Sequence, residues 1–246
     1  MLTRRHFVIT SAAMFSAPIA QAQTEAEDGA DATTGTEAEA PAETLPEPAP
    51  RAPRTNPAYW DRWDAQVTPA NYVPETTNPW GFHPRFLPQR VEANPGLTPG
   101  SIHVDAVARY LYHIGDDGTA MRYGVAIARG NLYEPGTYTI GRKAKWPTWT
   151  PTKAMIKRDP QYEKYEHGMD AGPRNPLGSR AFYLYEGNRD TLLRIHGSPY
   201  PKSVGGRASS GCVRMVMAHI NDLYPHVEKG AQAVLYPPED LVASKS

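Results

Sequence analysis

The chain has a single cysteine, Cys212, in 246 residues. No intramolecular disulfide can form, and a lone thiol in an oxidising compartment is a liability unless it is buried or used. Charge of either sign is also in short supply. Acidic and basic residues balance at 26 each, with no basic excess of the kind that binds nucleic acid. His83, His103, His113, His167, His219 and His226 show no ligand spacing such as H-E-x-x-H, so no metal site is expected. There is no internal repeat. The longest apolar run, residues 7–20, is short and broken by Pro18, so no membrane span is expected.

What is present divides the chain by composition. Arg4 and Arg5 precede the apolar run, and Ala20-Gln21-Ala22 has the form of a signal-peptidase site. Residues 1–22 therefore read as a cleaved export signal, with the mature chain expected to begin at Gln23 and to act in the periplasm or outside. TRRHFVI at 3–9 resembles a twin-arginine signal, with an ordinary Sec signal as the alternative. No cysteine follows the cleavage site, so no lipid anchor is expected. Residues 23–55 hold eight acidic and two basic residues and almost no large apolar ones. Such a segment cannot bury enough surface to offset its chain entropy, and it reads as a disordered acidic, then proline-rich, tether. The remainder carries 22 basic and 18 acidic residues, a mild excess that suits a polymer bearing peptide carboxylates.

The residues left can build one substantial core. Runs of β-branched and aromatic residues bounded by Gly, Asn and Asp recur at 102–105, 109–114, 121–128, 136–141, 181–185, 191–196 and 233–236. GDDG at 115–118 closes the second as a turn. The pattern predicts a mainly β fold, a sandwich or barrel with one or two short helices. The clearest helix is 217–227, with Ile220, Leu223, Tyr224 and Val227 on one face and Pro225 weakening its last turn. Residues 142–180 show little strand pattern and read as a long loop insertion, functional or mobile. Its Trp146 and Trp149 either wall a substrate cleft or pin the loop to the core. Residues 56–98, rich in proline and aromatics, are expected to pack on the core as an extension. The main domain follows at 99–238, with a tail at 239–246.

His196 ends an apolar run, and Cys212 follows it by 16 residues after Ser-Ser-Gly. A cysteine nucleophile needs a base, a group that orients the base, and donors for a developing oxyanion. His196 can be the base, and a thiolate–imidazolium pair would lower the thiol pKa. A flexible Gly205-Gly206 linker would let the two segments meet. Gly211 frees the backbone, so the Gly211 and Cys212 amides can face a carbonyl oxygen. Arg214 is placed to hold a substrate carboxylate bidentately. Spacing alone leaves plainer readings open: a small buried hydrophobe at Cys212, a satisfied core histidine, a structural ion pair at Arg214. Papain-like order is disfavoured, because here the cysteine comes late and the histidine precedes it.

HGS at 196–198 with SSGCVRM at 209–215 resembles the active-site signature of the L,D-transpeptidase catalytic domain (YkuD) family. The likeness extends over roughly 99–236 and includes NPLG at 175–178, RIHG at 194–197 and DLY at 222–224 followed by Gly230. It implies a mainly β YkuD-like fold and a cysteine acyltransferase acting on peptidoglycan stem peptides, as donor and acceptor, without metal or organic cofactor. Carbapenem-type inhibitors are expected to acylate it. Carried over by position, Cys212 is the nucleophile and His196 the base, oriented by the Gly197 carbonyl or the Ser198 side chain. Ser209 matches the serine that supports the catalytic loop, and Arg214 the arginine after the cysteine. Ser209, Ser210, Arg214, Trp146 and Trp149 are expected to face substrate. Many members read Ser-His-Gly-Cys; here Ser210 stands at the histidine position, so imidazole chemistry there is lost. An L,D-carboxypeptidase or stem-peptide hydrolase shares the first half-reaction, and a non-catalytic peptidoglycan-binding protein is the alternative of another class.

Overall fold

The structure is a computed structural model that describes residues 56–239. The expected signal at 1–22, the tether at 23–55 and the tail beyond Glu239 lie outside the described residues.

The described residues hold eleven strands: β1 (Gln89–Glu92), β2 (Ile102–Asp105), β3 (Tyr110–Ile114), β4 (Thr119–Gly124), β5 (Ile127–Ala128), β6 (Gly136–Lys145), β7 (Arg180–Glu186), β8 (Arg189–Ser198), β9 (Arg207–Ser209), β10 (Val213–Val216) and β11 (Gln232–Leu235). Nine of them form one sheet in the order β1-β4-β3-β2-β11-β6-β7-β8-β10, and β5 pairs with β9. The long sheet curls back on itself. Ala126, just after β4, exchanges both backbone hydrogen bonds with Arg214 of the last strand, at 2.9 and 2.8 Å. The enclosed core takes the inward residues of both halves, among them Ile102, Val104, Leu111, Ile140, Phe182, Ile195, Val213 and Met215, each inaccessible to solvent. Alternation along β8 and β10 thus sends Ile195 and Val213 inward and their neighbours to the opposite face.

The named α-helices among the described residues are short: α1 (Trp60–Val67), α2 (Lys153–Arg158) and α3 (Met217–Leu223). The expected 217–227 helix is α3 continued by a 3-10 turn at Tyr224–His226, with Pro225 in that turn. Two expectations about the insertion are corrected. The insertion begins later than 142, because β6 runs on to Lys145. Its charged residues lie on aromatic faces, Arg142 over Tyr183 and Lys143 over Tyr224 at 4.5 Å each, which hides the strand pattern. The rest of the insertion is not structureless. Thr152 caps α2 by accepting the Met155 amide, and Trp149, Tyr162, Tyr165, Met169 and Leu177 form a small core of their own.

Residues 56–98 lie against the strands that follow them and add β1 to the sheet. Asp64 of α1 receives the Arg180 guanidinium bidentately, at 2.9 and 2.6 Å, and the Trp146 indole N–H at 3.1 Å. Phe86 occupies the space where side chains at Gly124 and Gly205 would be. Tyr72, Trp80 and Phe82 surround His219 of α3, whose ring nitrogens have no hydrogen-bond partner among the described residues. Glu239, assigned to the tail, is tied back to Arg109 at 2.8 Å.

Candidate active site

Strands β8 and β10 run parallel with Val213 beside Ile195 and Arg214 beside His196. Extended one step, this register sets Cys212 beside Arg194, and the Arg194 backbone N–H reaches the thiol. Since Ile195 and Val213 fill the core, Cys212, Arg194, His196 and Arg214 share the other face. The two segments meet through strand pairing, not through a loose linker. Gly205 is fixed, with φ +91° and its N–H bonded to the Val125 carbonyl at 2.9 Å, and any Cβ there would strike Phe86.

His196 is buried. Its Nδ1 lies 2.6 Å from the Gly197 carbonyl, which fixes Nδ1–H as the donor and leaves Nε2 free to take a proton. Of the two expected orienting groups, the carbonyl holds the ring; the Ser198 hydroxyl instead accepts the Tyr200 amide. The NPLG turn covers this side. Asn175 is buried and ties the turn through its side chain to the Met169 and Asp170 carbonyls and the Leu177 amide. The Pro176 carbonyl also faces the ring and favours its protonated form. Gly178, at φ +60°, lies so close to the Gly197 backbone that a Cβ would sit 2.6 Å from its carbonyl carbon. Asn175, Pro176 and Gly178 thus belong to the site, although only the family likeness, not residue chemistry, singled them out in the sequence.

The charge state differs from a preformed ion pair. Burial first, then the Arg214 charge, pushes the His196 imidazole down to about 3, against the two carbonyls. Cys212 is half-buried by area, and the protein packed around its sulfur pushes the thiol up, against the Arg194 N–H and the Arg194 and Arg214 charges. At neutral pH the resting pair is thiol and neutral imidazole.

The other expected site residues separate into two sets. Arg214 and Ser210 are half-exposed beside the cysteine. Gly211, at φ +140°, forms the turn before it. Ser209 is buried, and its hydroxyl donates to the Cys212 carbonyl, so it staples the loop and is not available to substrate. Trp146 and Trp149 are corrected as cleft walls. Trp146 is buried against Trp63 and bonded to Asp64, and Trp149 sits edge-on to Tyr162 and Tyr165, so both pin the insertion. Among the described residues no group of three His, Cys, Asp or Glu could hold a metal ion.

The L,D-transpeptidase catalytic domain (YkuD) family model matches residues 99–235. The probable L,D-transpeptidase ErfK/SrfK of Escherichia coli K12 is 28% identical over 59% of this chain and 46% of its own length. The probable L,D-transpeptidase YbiS of the same strain is 29% identical over 66% of this chain and 53% of its own. A crystal structure described as a probable carnitine operon oxidoreductase caia from Brucella melitensis is 47% identical, covering 61% of this chain and 94% of that one, with a TM-score of 0.44. The chain spans about half the length of the curated relatives it matches. On the family match across its β domain, this chain belongs to the L,D-transpeptidase catalytic domain (YkuD) family.

Proposed function

We propose that the protein is a peptidoglycan L,D-transpeptidase working through a Cys212 thioester. The observation that carries the reading is the β8–β10 register, which gathers Cys212, His196 and Arg214 on one face, with His196 held by the Gly197 carbonyl. Arg214 is suited to a stem-peptide carboxylate. Cys212 Sγ attacks the carbonyl at the L-centre of diaminopimelate in a donor stem, while His196 Nε2 takes the thiol proton during the attack. The Gly211 and Cys212 amides face the oxyanion. Collapse forms the thioester, and the terminal D-residue leaves as an amine carrying that proton. The side-chain amine of a second stem attacks the thioester, His196 removes its proton, and the thiol returns. Because the substrate is a fixed wall network, the protein acts outside the cytoplasm. Among the described residues no helix is long and apolar enough to cross a membrane.

The test is mass spectrometry of the protein with a disaccharide-tetrapeptide containing diaminopimelate. Dimer formation with loss of one D-alanine per crosslink is expected. A tripeptide product alone identifies a carboxypeptidase, and an unchanged substrate overturns the reading. Cys212→Ala is expected to abolish turnover with its circular dichroism unchanged. A carbapenem is expected to add its mass to the wild type and not to that variant.

A further inference from the structure

Strand β8 carries an irregularity just before the catalytic face. Tyr183 pairs with Arg194 and Tyr185 with Asp190, so Leu184 opposes three residues, Thr191 to Leu193. Leu192 sits there at φ +64° with 59% of its surface exposed. A leucine in the left-handed region is strained and persists only where its surroundings impose it. Asp190 imposes it: Oδ1 accepts the Leu192 amide at 2.8 Å, and the carboxylate takes the Arg194 guanidinium at 2.7 and 3.0 Å. Arg194 also donates to the Leu193 carbonyl at 2.9 Å and lies 4.1 Å from the centre of the Tyr183 ring. Thr191 Oγ1 closes the bulge by donating to the Leu184 carbonyl and accepting the Leu193 amide.

Two backbone groups of this segment face Cys212. The Leu192 carbonyl lies 3.9 Å from Cys212 Sγ, and the Arg194 N–H points at the same sulfur. We propose that Asp190 is a positioning residue for Cys212: by clamping the Arg194 side chain and the Leu192 amide, it holds the bulge that presents the Arg194 N–H and the Leu192 carbonyl to the sulfur. The carbonyl is a weak acceptor for the resting S–H. The N–H forms a charge-assisted bond to the thiolate and is the stronger of the two. The clamp thus favours the reactive form. This inference rests on Cys212 being the nucleophile.

The experiment measures iodoacetamide alkylation of Cys212 against pH by intact mass, with carbapenem acylation at neutral pH alongside. The charged groups acting on the thiol are Arg194 of β8, Arg214 of β10 and Glu134 ahead of β6, and His196 is the titratable group on the same sheet face. Asp190→Ala is expected to raise the midpoint by about one pH unit and slow neutral acylation about tenfold. Lost charge alone acts in the opposite direction, since removing a carboxylate and freeing Arg194 lowers a thiol pKa. Leu192→Pro forbids φ +64° and removes the clamped amide. It is expected to give the same rise, and the double variant little more. Should Asp190→Ala fail to fold, Asp190→Asn, which removes the charge of the Arg194 clamp, serves with the same criterion. A midpoint that is unchanged or lowered in a folded Asp190 variant overturns the positioning role, whatever happens to Tm. A wild-type Cys212 that neither alkylates nor acylates overturns the nucleophile assignment instead.

Discussion

Two histidines, His196 and His219, lie equally deep, and burial pushes both imidazoles down to about 3. Their surroundings have little else in common. His196 has the Gly197 carbonyl to orient it, the Pro176 carbonyl facing it and the Arg194 and Arg214 charges beside it. His219 has rings: Trp80 and Phe82 edge-on, Tyr72 and Tyr123 tilted against it. Depth and depressed basicity therefore do not single out the proposed base; an oriented tautomer, on the same sheet face as Cys212, does.

Replacing each histidine sharpens this contrast most. His196→Gln is expected to lower the acylation rate by roughly 10²–10⁴, the range of a lost general base, with thermal stability nearly unchanged. Equal damage from His219→Phe would erase the distinction. Next comes Gly178→Ala, which forces a Cβ into the Gly197 backbone at positive φ. It is expected to cost about 1–3 kcal/mol in denaturant unfolding. It should also slow acylation by displacing the carbonyl that holds His196; a slower rate without destabilisation would mean that the turn is not packed as described.

The third test is pH. Folded, both imidazoles stay neutral down to about 3; unfolded, they ionise near 6.5. Between these values the unfolded chain binds more protons. Their contribution is favourable above about pH 6.5 and is lost as pH falls, by up to about 1.4 kcal/mol per unit for each histidine, levelling near pH 3. His219→Phe should flatten that slope by one histidine's share; an unchanged slope would mean that His219 ionises inside the fold. The smallest effect is on stability at neutral pH. There His219→Phe replaces two unbonded buried nitrogens by apolar surface of similar shape and should be neutral or slightly stabilising in a thermal melt.

Much of this was legible in the sequence, for identifiable reasons. The strands around the core announce themselves because their inward residues are β-branched or aromatic. Cys212, His196 and Gly211 stand in a short segment whose motif is specific. The buried tryptophans were ambiguous because an indole suits a cleft wall as well as a small core, and only their partners, Asp64 and Tyr162, decide between the two. β1 and the end of β6 were hidden because their outward residues are long and charged. The clamp at Asp190 was not readable, because a bulge is a property of register between strands and no single residue encodes it.

The contacts of Asp64 and Phe86 bear on where the protein can be cut. The family match begins at residue 99, but a fragment starting there would leave the Arg180 guanidinium, 8% exposed in the whole fold, without its carboxylate. It would also strip Trp80 and Phe82 from His219 and open a slot between Gly124 and Gly205. Homology marks the segment that carries the chemistry; the segment that must stay together for that chemistry to be held in shape is longer.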